Sequence, residues 1–272
     1  MKWNCILERV VETGSTNHDL LVRWRAGELI DPISRLAQNQ TAGKGRNGRL
    51  WKTQANDSLC FSLAYPFEKE IQHLSGLSLI CGLAVLTGIS KALGISKKNL
   101  YERGLRLKWP NDLLLNHLKL GGILIEGGKL SNSTNQIEPS WMIIGVGLNL
   151  HVNTEIEKII GHRLASLDHL ISPSEKLPAA DSIWLHILDS FYDYLSTMNR
   201  SGFQSFKEEW NQWDAYSACQ VDIREGNSSN DKVFISGVNC GVNQEGALIL
   251  SMPNTNETKL IYAGDVSLRP SI

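Results

Sequence analysis

The residues most suited to chemistry are nine in a row, Gly43-Lys44-Gly45-Arg46-Asn47-Gly48-Arg49-Leu50-Trp51, which set three glycines and three cations in one short stretch and end it with an indole. Glycine lets backbone N–H groups turn inward and approach a ligand closely, and the arginine forks present paired donors to phosphate or carboxylate oxygens. The chemistry implied is the wrapping of an anion, with Trp51 placed to lid it. The competing reading is a surface turn with solvated charges. Gly43, Gly45 and Gly48 also satisfy the G-x-G-x-x-G pattern, but a dinucleotide fold requires an apolar helix next, and Arg49-Leu50-Trp51-Lys52-Thr53 follows instead. No Gly-Lys-Ser/Thr occurs, so the P-loop phosphate cradle is absent.

Four further clusters have polar groups where a sheet-based site gathers its contacts. Ser15-Thr16-Asn17 offers hydroxyls and an amide, or simply a helix cap. Lys108-Trp109-Pro110-Asn111-Asp112 offers a cation and a carboxylate, or a turn with a buried Trp. Lys119 precedes Gly121-Gly122, and Asn149 follows Gly145-Val146-Gly147; taken singly, these read equally well as a solvated strand residue and a turn.

The elements that must position these groups follow from periodicity. Strands are expected at Leu7–Thr13, Ser34–Asn39, Leu59–Tyr65 and Trp141–Leu150, and a helix from His18 to Gly27 with its N-cap at Ser15, Thr16 or Asn17. Leu74–Ser90 lacks charge but is interrupted by Gly, Ser and Thr, so it reads as a buried helix with Leu77, Ile80, Cys81 and Ala84 on one stripe rather than as a membrane span. Leu105–Trp109 and Lys119–Glu126 read as a hairpin-like pair with a bend at Pro110-Asn111-Asp112 and a turn at Asn116-His117. The stretch 127–140 is polar and Ser/Asn-rich, which predicts a surface loop. Apolar positions between Pro178 and Trp213 have helical spacing, and from Tyr216 short strands alternate with turns as in a small β-barrel.

At 272 residues the chain can bury a core without covalent staples. Lys+Arg 27 against Asp+Glu 28 gives a formal charge of -1, which argues against general attraction to nucleic acid or anionic membrane and leaves the basic loop a local feature. Cys5, Cys60, Cys81, Cys219 and Cys240 show no metal-ligand spacing and suit reduced thiols in a cytoplasmic protein. The N-terminus carries no apolar run, so no signal peptide is expected.

Together and in order, Glu12–Asn17, Gln40–Trp51, Lys108–Asp112, Lys119–Glu126, Gly145–Asn149 and Gly264–Arg269 resemble the biotin protein ligase family over nearly the whole chain. The short stretch ahead of Glu12 resembles the monofunctional form, without the helix-turn-helix domain or DNA binding. The fold the resemblance implies is α/β (α+β): a mixed sheet flanked by helices, similar to class II aminoacyl-tRNA synthetases, over residues 1–215, then an SH3-like barrel over 216–272. It implies ATP-dependent activation of biotin to biotinyl-5′-AMP and transfer to a lysine of the biotin carboxyl carrier protein of acetyl-CoA carboxylase, with Mg²⁺ assisting and a homodimer known among relatives.

By the same resemblance, Lys119, Arg46 and Arg49 are the catalytic cations. Biotin falls to Ser15, Thr16, Asn17, Gln40, Gly43, Lys44, Gly45, Arg46, Lys119 and Gly122, and ATP to Arg46, Arg49, Trp51, Asn111, Lys119 and Asn149, with Asp112 assigned to Mg²⁺. Lys44 and Asn47 stand where the family commonly has arginine; lysine keeps the charge but not the planar fork. A lipoate protein ligase and a non-catalytic nucleic-acid-binding protein are the alternatives.

Overall fold

The computed structural model describes residues 3–68, 74–129, 139–225, 232–253, 255, 257–262 and 266–271. Gly264 and Asp265 of the last motif, and 130–138 of the expected surface loop, lie outside the described residues.

Seven strands form one mixed sheet: β1 (Ile6–Thr13), β2 (Ile33–Gln40), β3 (Ser58–Phe67), β4 (Leu105–Lys108), β5 (Asp112–Leu115), β6 (Leu118–Gly128) and β7 (Ser140–Asn149). Their order is β1-β2-β3-β7-β6-β5-β4, with β1 and β2 parallel and every other pair antiparallel. Buried side chains alternate along β3: Phe61 and Leu63 belong to the large core under α2 (Leu77–Leu93) and α5 (Ala180–Ser201), while Ala64 belongs to a smaller core with Leu20 and Leu21 of α1 (Thr16–Arg25). The sheet is therefore covered on both faces, which is why its central strands read as near-continuous apolar runs.

The stripe Leu77, Ile80, Cys81 and Ala84 is buried as the spacing predicts, but α2 is apolar on its other faces too and packs on α5, where Gly88 lets the axes close: a Cβ there would lie 2.5 Å from the Ile187 Cα. A six-residue α3 (Lys97–Glu102) and a seven-residue α4 (Thr154–Ile160), which periodicity did not predict, are each set by a side-chain cap, Ser96 and Asn153. The expected hairpin is a three-stranded meander. Asp112–Leu115 inserts as β5 between Leu105–Lys108 and Lys119–Glu126, because the turn signal at Pro110-Asn111 ends where a four-residue strand begins.

The C-terminal strands β8 (Gln220–Glu225), β9 (Lys232–Val242), β10 (Leu248–Met252), β11 (Glu257–Ile261) and β12 (Val266–Pro270) form a separate antiparallel sheet in the order β11-β10-β9-β8-β12. It is tied to the rest of the molecule by Trp109 Nε1, which donates to Gly246 O at 3.1 Å, and by Ser75 Oγ ahead of α2, which donates to Glu245 O at 2.6 Å, while the connection into it is held by Ala215 N, which donates to Leu107 O at 2.7 Å. At the junction after α6 (Lys207–Trp213), Asp214 accepts from Asn239 Nδ2 at 2.7 Å and Tyr216 N at 3.0 Å, and burial holds its carboxyl above the usual range despite them. Among the described residues no helix is long and apolar enough to cross a membrane, and all five cysteines are free thiols.

Candidate functional site

The polar clusters meet in one cavity of about 650 Å³ at the strand ends of the larger sheet. Its first wall is the start of α1. Ser15 caps the helix, its Oγ accepting from His18 N at 3.4 Å, and that geometry turns Thr16 and Asn17 into the sheet. Thr16 N and Oγ1 lie 2.8 and 3.1 Å from Gln40 Oε1, at the end of β2. Thr16 Oγ1 is 2.7 Å from Ser62 Oγ, Ser62 donates to Asn17 Oδ1 at 2.7 Å, and Asn17 Nδ2 donates to Glu126 Oε2 at 2.8 Å. Gly145 of β7 makes room for this network, since a Cβ there would lie 2.5 Å from Asn17 Oδ1. This end of the cavity is neutral where it meets a ligand: hydroxyls, amides and backbone.

The second wall is the Gly/Arg loop. It is a small hairpin, with Lys44 bridged to Leu50, Gly45 N donating to Arg49 O at 2.7 Å and Trp51 N to Gly43 O at 2.8 Å. Asn47 (φ 57°) and Gly48 (φ 71°) turn its tip in the left-handed region, which asparagine and glycine tolerate best. Arg46 Nη1 donates to Asn111 Oδ1 at 3.1 Å, fastening the loop to the Lys108–Asp112 segment. Trp51 lines the cavity: its ring covers Gly147, where a Cβ would lie 2.5 Å from Cε2, and its Nε1 is buried without a hydrogen-bond acceptor.

The third wall is cationic. Lys119 Nζ lies 2.8 Å from Asp112 Oδ1 and 5.5 Å from the Trp51 ring centre, and Lys108 Nζ lies 3.8 Å from Asp112 Oδ2. Burial raises the Asp112 pKa, but Lys119, Lys108 and Arg269 outweigh it and hold the carboxyl below its usual range. Lys108 is only 9% exposed, and burial, reinforced by Arg269, Lys119 and Arg49 against the pull of Asp112, lowers its pKa to about 8. Lys119, Lys108 and Arg269 thus crowd one carboxylate, and the exposed Arg49 adds to the field on Lys108, an arrangement of four cations whose excess charge favours an incoming polyanion.

Every sequence-predicted site residue but one lines the cavity; Gly43 lies behind the wall, buried under Trp51. Asn149 does line it, but its Nδ2 donates to Ala165 O at 2.9 Å and Lys119 O at 3.3 Å, which leaves Oδ1 for a ligand. The sequence did not point to Ser62, to Ile156, Ile160 and Leu164, which give the end under α4 its apolar surface beside His162 and Arg163, or to Tyr216, Leu268 and Arg269, supplied by the C-terminal segment. Leu268 and Arg269 stand in the Gly264–Arg269 motif, which assigns them no role; the others have no local signature, since a serine in an apolar strand and isoleucines on a short helix read as core.

Asp112 is the one carboxylate among the four cations, and no cluster of three or more metal-ligating side chains occurs among the described residues. A single carboxylate suits Mg²⁺ that arrives with phosphate oxygens and keeps several waters, not a resident ion.

Comparisons with known proteins agree with this geometry. The chain is 29% identical to the bifunctional ligase/repressor BirA of Salmonella typhimurium over 94% of its length and 72% of that protein. It is 38% identical to the biotin--[acetyl-CoA-carboxylase] ligase of Mycobacterium tuberculosis over 53% of its length and 49% of that protein. Among solved structures, the biotin protein ligase from Aquifex aeolicus in complex with biotin and ATP superposes with a TM-score of 0.76 at 25% identity, covering 98% of this chain and 99% of that one. Residues 10–149, which carry all three walls of the cavity except Arg269, match the Biotin/lipoate A/B protein ligase family, and the chain belongs to it.

Proposed function

We propose that this protein activates biotin with ATP, forming biotinyl-5′-AMP and pyrophosphate, and then acylates a lysine of a biotin carboxyl carrier protein. One observation carries the reading: a neutral hydroxyl-and-amide pocket and a four-cation recess open into the same cavity, with Lys119 between them. The neutral end suits a ureido ring, which needs hydrogen-bond partners rather than charge. The apolar end under α4 suits a flat nucleobase, and the cations between suit a carboxylate and a triphosphate.

In the first step a biotin carboxylate oxygen attacks the α-phosphorus, the bond to the β-phosphate bridging oxygen breaks and pyrophosphate leaves. Both reactants are anions, so the barrier falls by as much as fixed cations stabilise the added charge in the transition state. Lys119 and Arg46 serve the carboxylate and α-phosphate; Arg49, Lys108 and Arg269 serve the leaving phosphates. Asp112 keeps Lys119 and Lys108 aimed inward and would hold Mg²⁺ together with the phosphates, the ion screening their charge. In the second step the carrier's lysine amine attacks the acyl carbon, AMP leaves, and the amide forms with loss of a proton. Support for an approach to that carbon comes from β6: beyond Gly122 its outer edge pairs with no strand among the described residues, and the Gly/Arg loop stands next to it.

The test is incubation with ATP, Mg²⁺ and biotin followed by mass analysis for the adenylate and for a modified carrier domain, with lipoate as competitor. Lys119→Ala is expected to lose about 3 kcal/mol or more of transition-state stabilisation in ATP–pyrophosphate exchange, the scale of a removed oxyanion donor. Exchange within a few-fold of wild type would remove Lys119 from the mechanism, and preference for lipoate would make this a lipoate ligase.

A further inference from the structure

The network behind the neutral pocket runs in one direction. Glu126 Oε2, a carboxylate oxygen, accepts from Asn17 Nδ2 at 2.8 Å, so the Asn17 amide is oriented with Oδ1 toward Ser62. Ser62 has one proton, and it is spent on Asn17 Oδ1 at 2.7 Å. Ser62 Oγ is therefore an acceptor for Thr16, 2.7 Å away, and the Thr16 hydroxyl proton points into the protein. Gln40 Oε1 has Thr16 N as its donor at 2.8 Å and does not require that proton, its 3.1 Å contact with Oγ1 being the longer one. What remains for a ligand on Thr16 is a lone pair. Ser15 is the complement: its Oγ accepts from His18 N, and its proton is available to the cavity.

We infer that Glu126 and Ser62 are positioning residues that fix Thr16 as a hydrogen-bond acceptor, so that the pocket selects a ligand bearing a ring N–H and rejects one that offers only acceptors there. The inference rests on the biotin reading and names what makes that pocket selective. Neither residue need touch the ligand in order to act, because a buried hydroxyl with its proton committed cannot turn to donate without leaving Ser62 or Asn17 unsatisfied.

Titration calorimetry with biotin and with each of the two cyclic carbamates in which a ring oxygen replaces one ureido N–H provides the test. The wild type is expected to bind biotin at least about tenfold tighter than one of the carbamates, the scale of one misdirected buried hydrogen bond. In Ser62→Ala the Thr16 hydroxyl is released, can donate to the ring oxygen, and the discrimination narrows by about tenfold. Glu126→Met, which removes the terminal acceptor, narrows it likewise, whereas Glu126→Gln, which keeps an acceptor oxygen, preserves it. The KM for ATP stays within about twofold throughout, since these residues lie away from the cationic wall. Equal weakening of all three ligands with an unchanged ratio would mean a merely structural role and overturn the inference, as would a wild type that binds biotin and both carbamates alike. A wild type that binds no biotin would overturn the biotin reading itself.

Discussion

At the scale of single residues, Lys108 has the least ordinary environment. Burial and three neighbouring cations bring its pKa down from 10.5 to about 8, against the attraction of Asp112. The sign of the consequence for folding is fixed: between pH 8 and 10.5 the unfolded chain holds more protons at this position, so its penalty on the native state is full below pH 8 and is relieved as the pH rises. For nucleotide binding the sign is opposite. A triphosphate favours the charged amine, so ATP is expected to draw a proton onto Lys108 near pH 8.5 and to bind more weakly as the pH climbs further. Calorimetry of ATP binding in two buffers of different ionisation enthalpy measures that uptake, and Lys108→Met should abolish it. No buffer dependence in the wild type would show that the nucleotide does not sense this lysine.

At the scale of elements, the long contact between α2 and α5 is set by a missing side chain. Replacing Gly88 with alanine favours the helix by about 1 kcal/mol on propensity alone. Against this stands a Cβ 2.5 Å from the Ile187 Cα and 2.8 Å from its amide nitrogen, backbone atoms that move only if the two helices separate. Overpacking of that kind costs about 1–3 kcal/mol, and with a rigid opponent the upper part of the range applies, so Gly88→Ala is expected to be destabilising in a denaturant titration. An increase in stability would show that the helices part without loss. What could be read beforehand at this scale had strong periodicity or adjacency in sequence: α2, α5, β3, β7 and the Gly/Arg loop, whose nine residues carry their own turn chemistry. What could not was short or set by tertiary contact. Strand β5 has four residues and begins on Asp112, directly after Pro110-Asn111 and within what reads as a turn, and α4 is held by Asn153 and Glu157, the latter accepting from Leu164 N at 2.7 Å.

At the scale of the whole molecule, the cavity is closed by both sheets. Arg269, on β12, joins Lys119 and Lys108 around Asp112, and Tyr216 and Leu268 complete its rim. The residues 10–149 that define the family thus do not make the whole cationic wall. Arg269→Met is expected to raise the KM for ATP by about tenfold while leaving biotin binding within about twofold, since a hydrogen bond from a charged donor contributes about 1.5–3 kcal/mol, Arg269 is half-buried, and the ureido pocket belongs to the other sheet. Equal effects on both ligands in steady-state assays would place Arg269 in docking of the two sheets instead. Ser62 and Glu126 were hidden in sequence for the same reason: the distances that give them meaning run between β3, β6 and α1, 45 residues apart in one case and 109 in another.

Trp51 has one more consequence. The chain has eight tryptophans; Trp141, Trp184, Trp210 and Trp213 are buried, Trp3 and Trp24 do not line the cavity, and Trp109 lines it but is itself buried with its Nε1 bonded to Gly246 O. Trp51 is part-exposed within it, its indole 5.5 Å from the Lys119 ammonium and its Nε1 without an acceptor. Neutralising that nearby charge changes the field across the indole and with it the colour and yield of its emission. The protein thus carries its own optical reporter. Fluorescence titrations on unlabelled protein should register carboxylate and nucleotide separately, and Trp51→Phe should darken both signals.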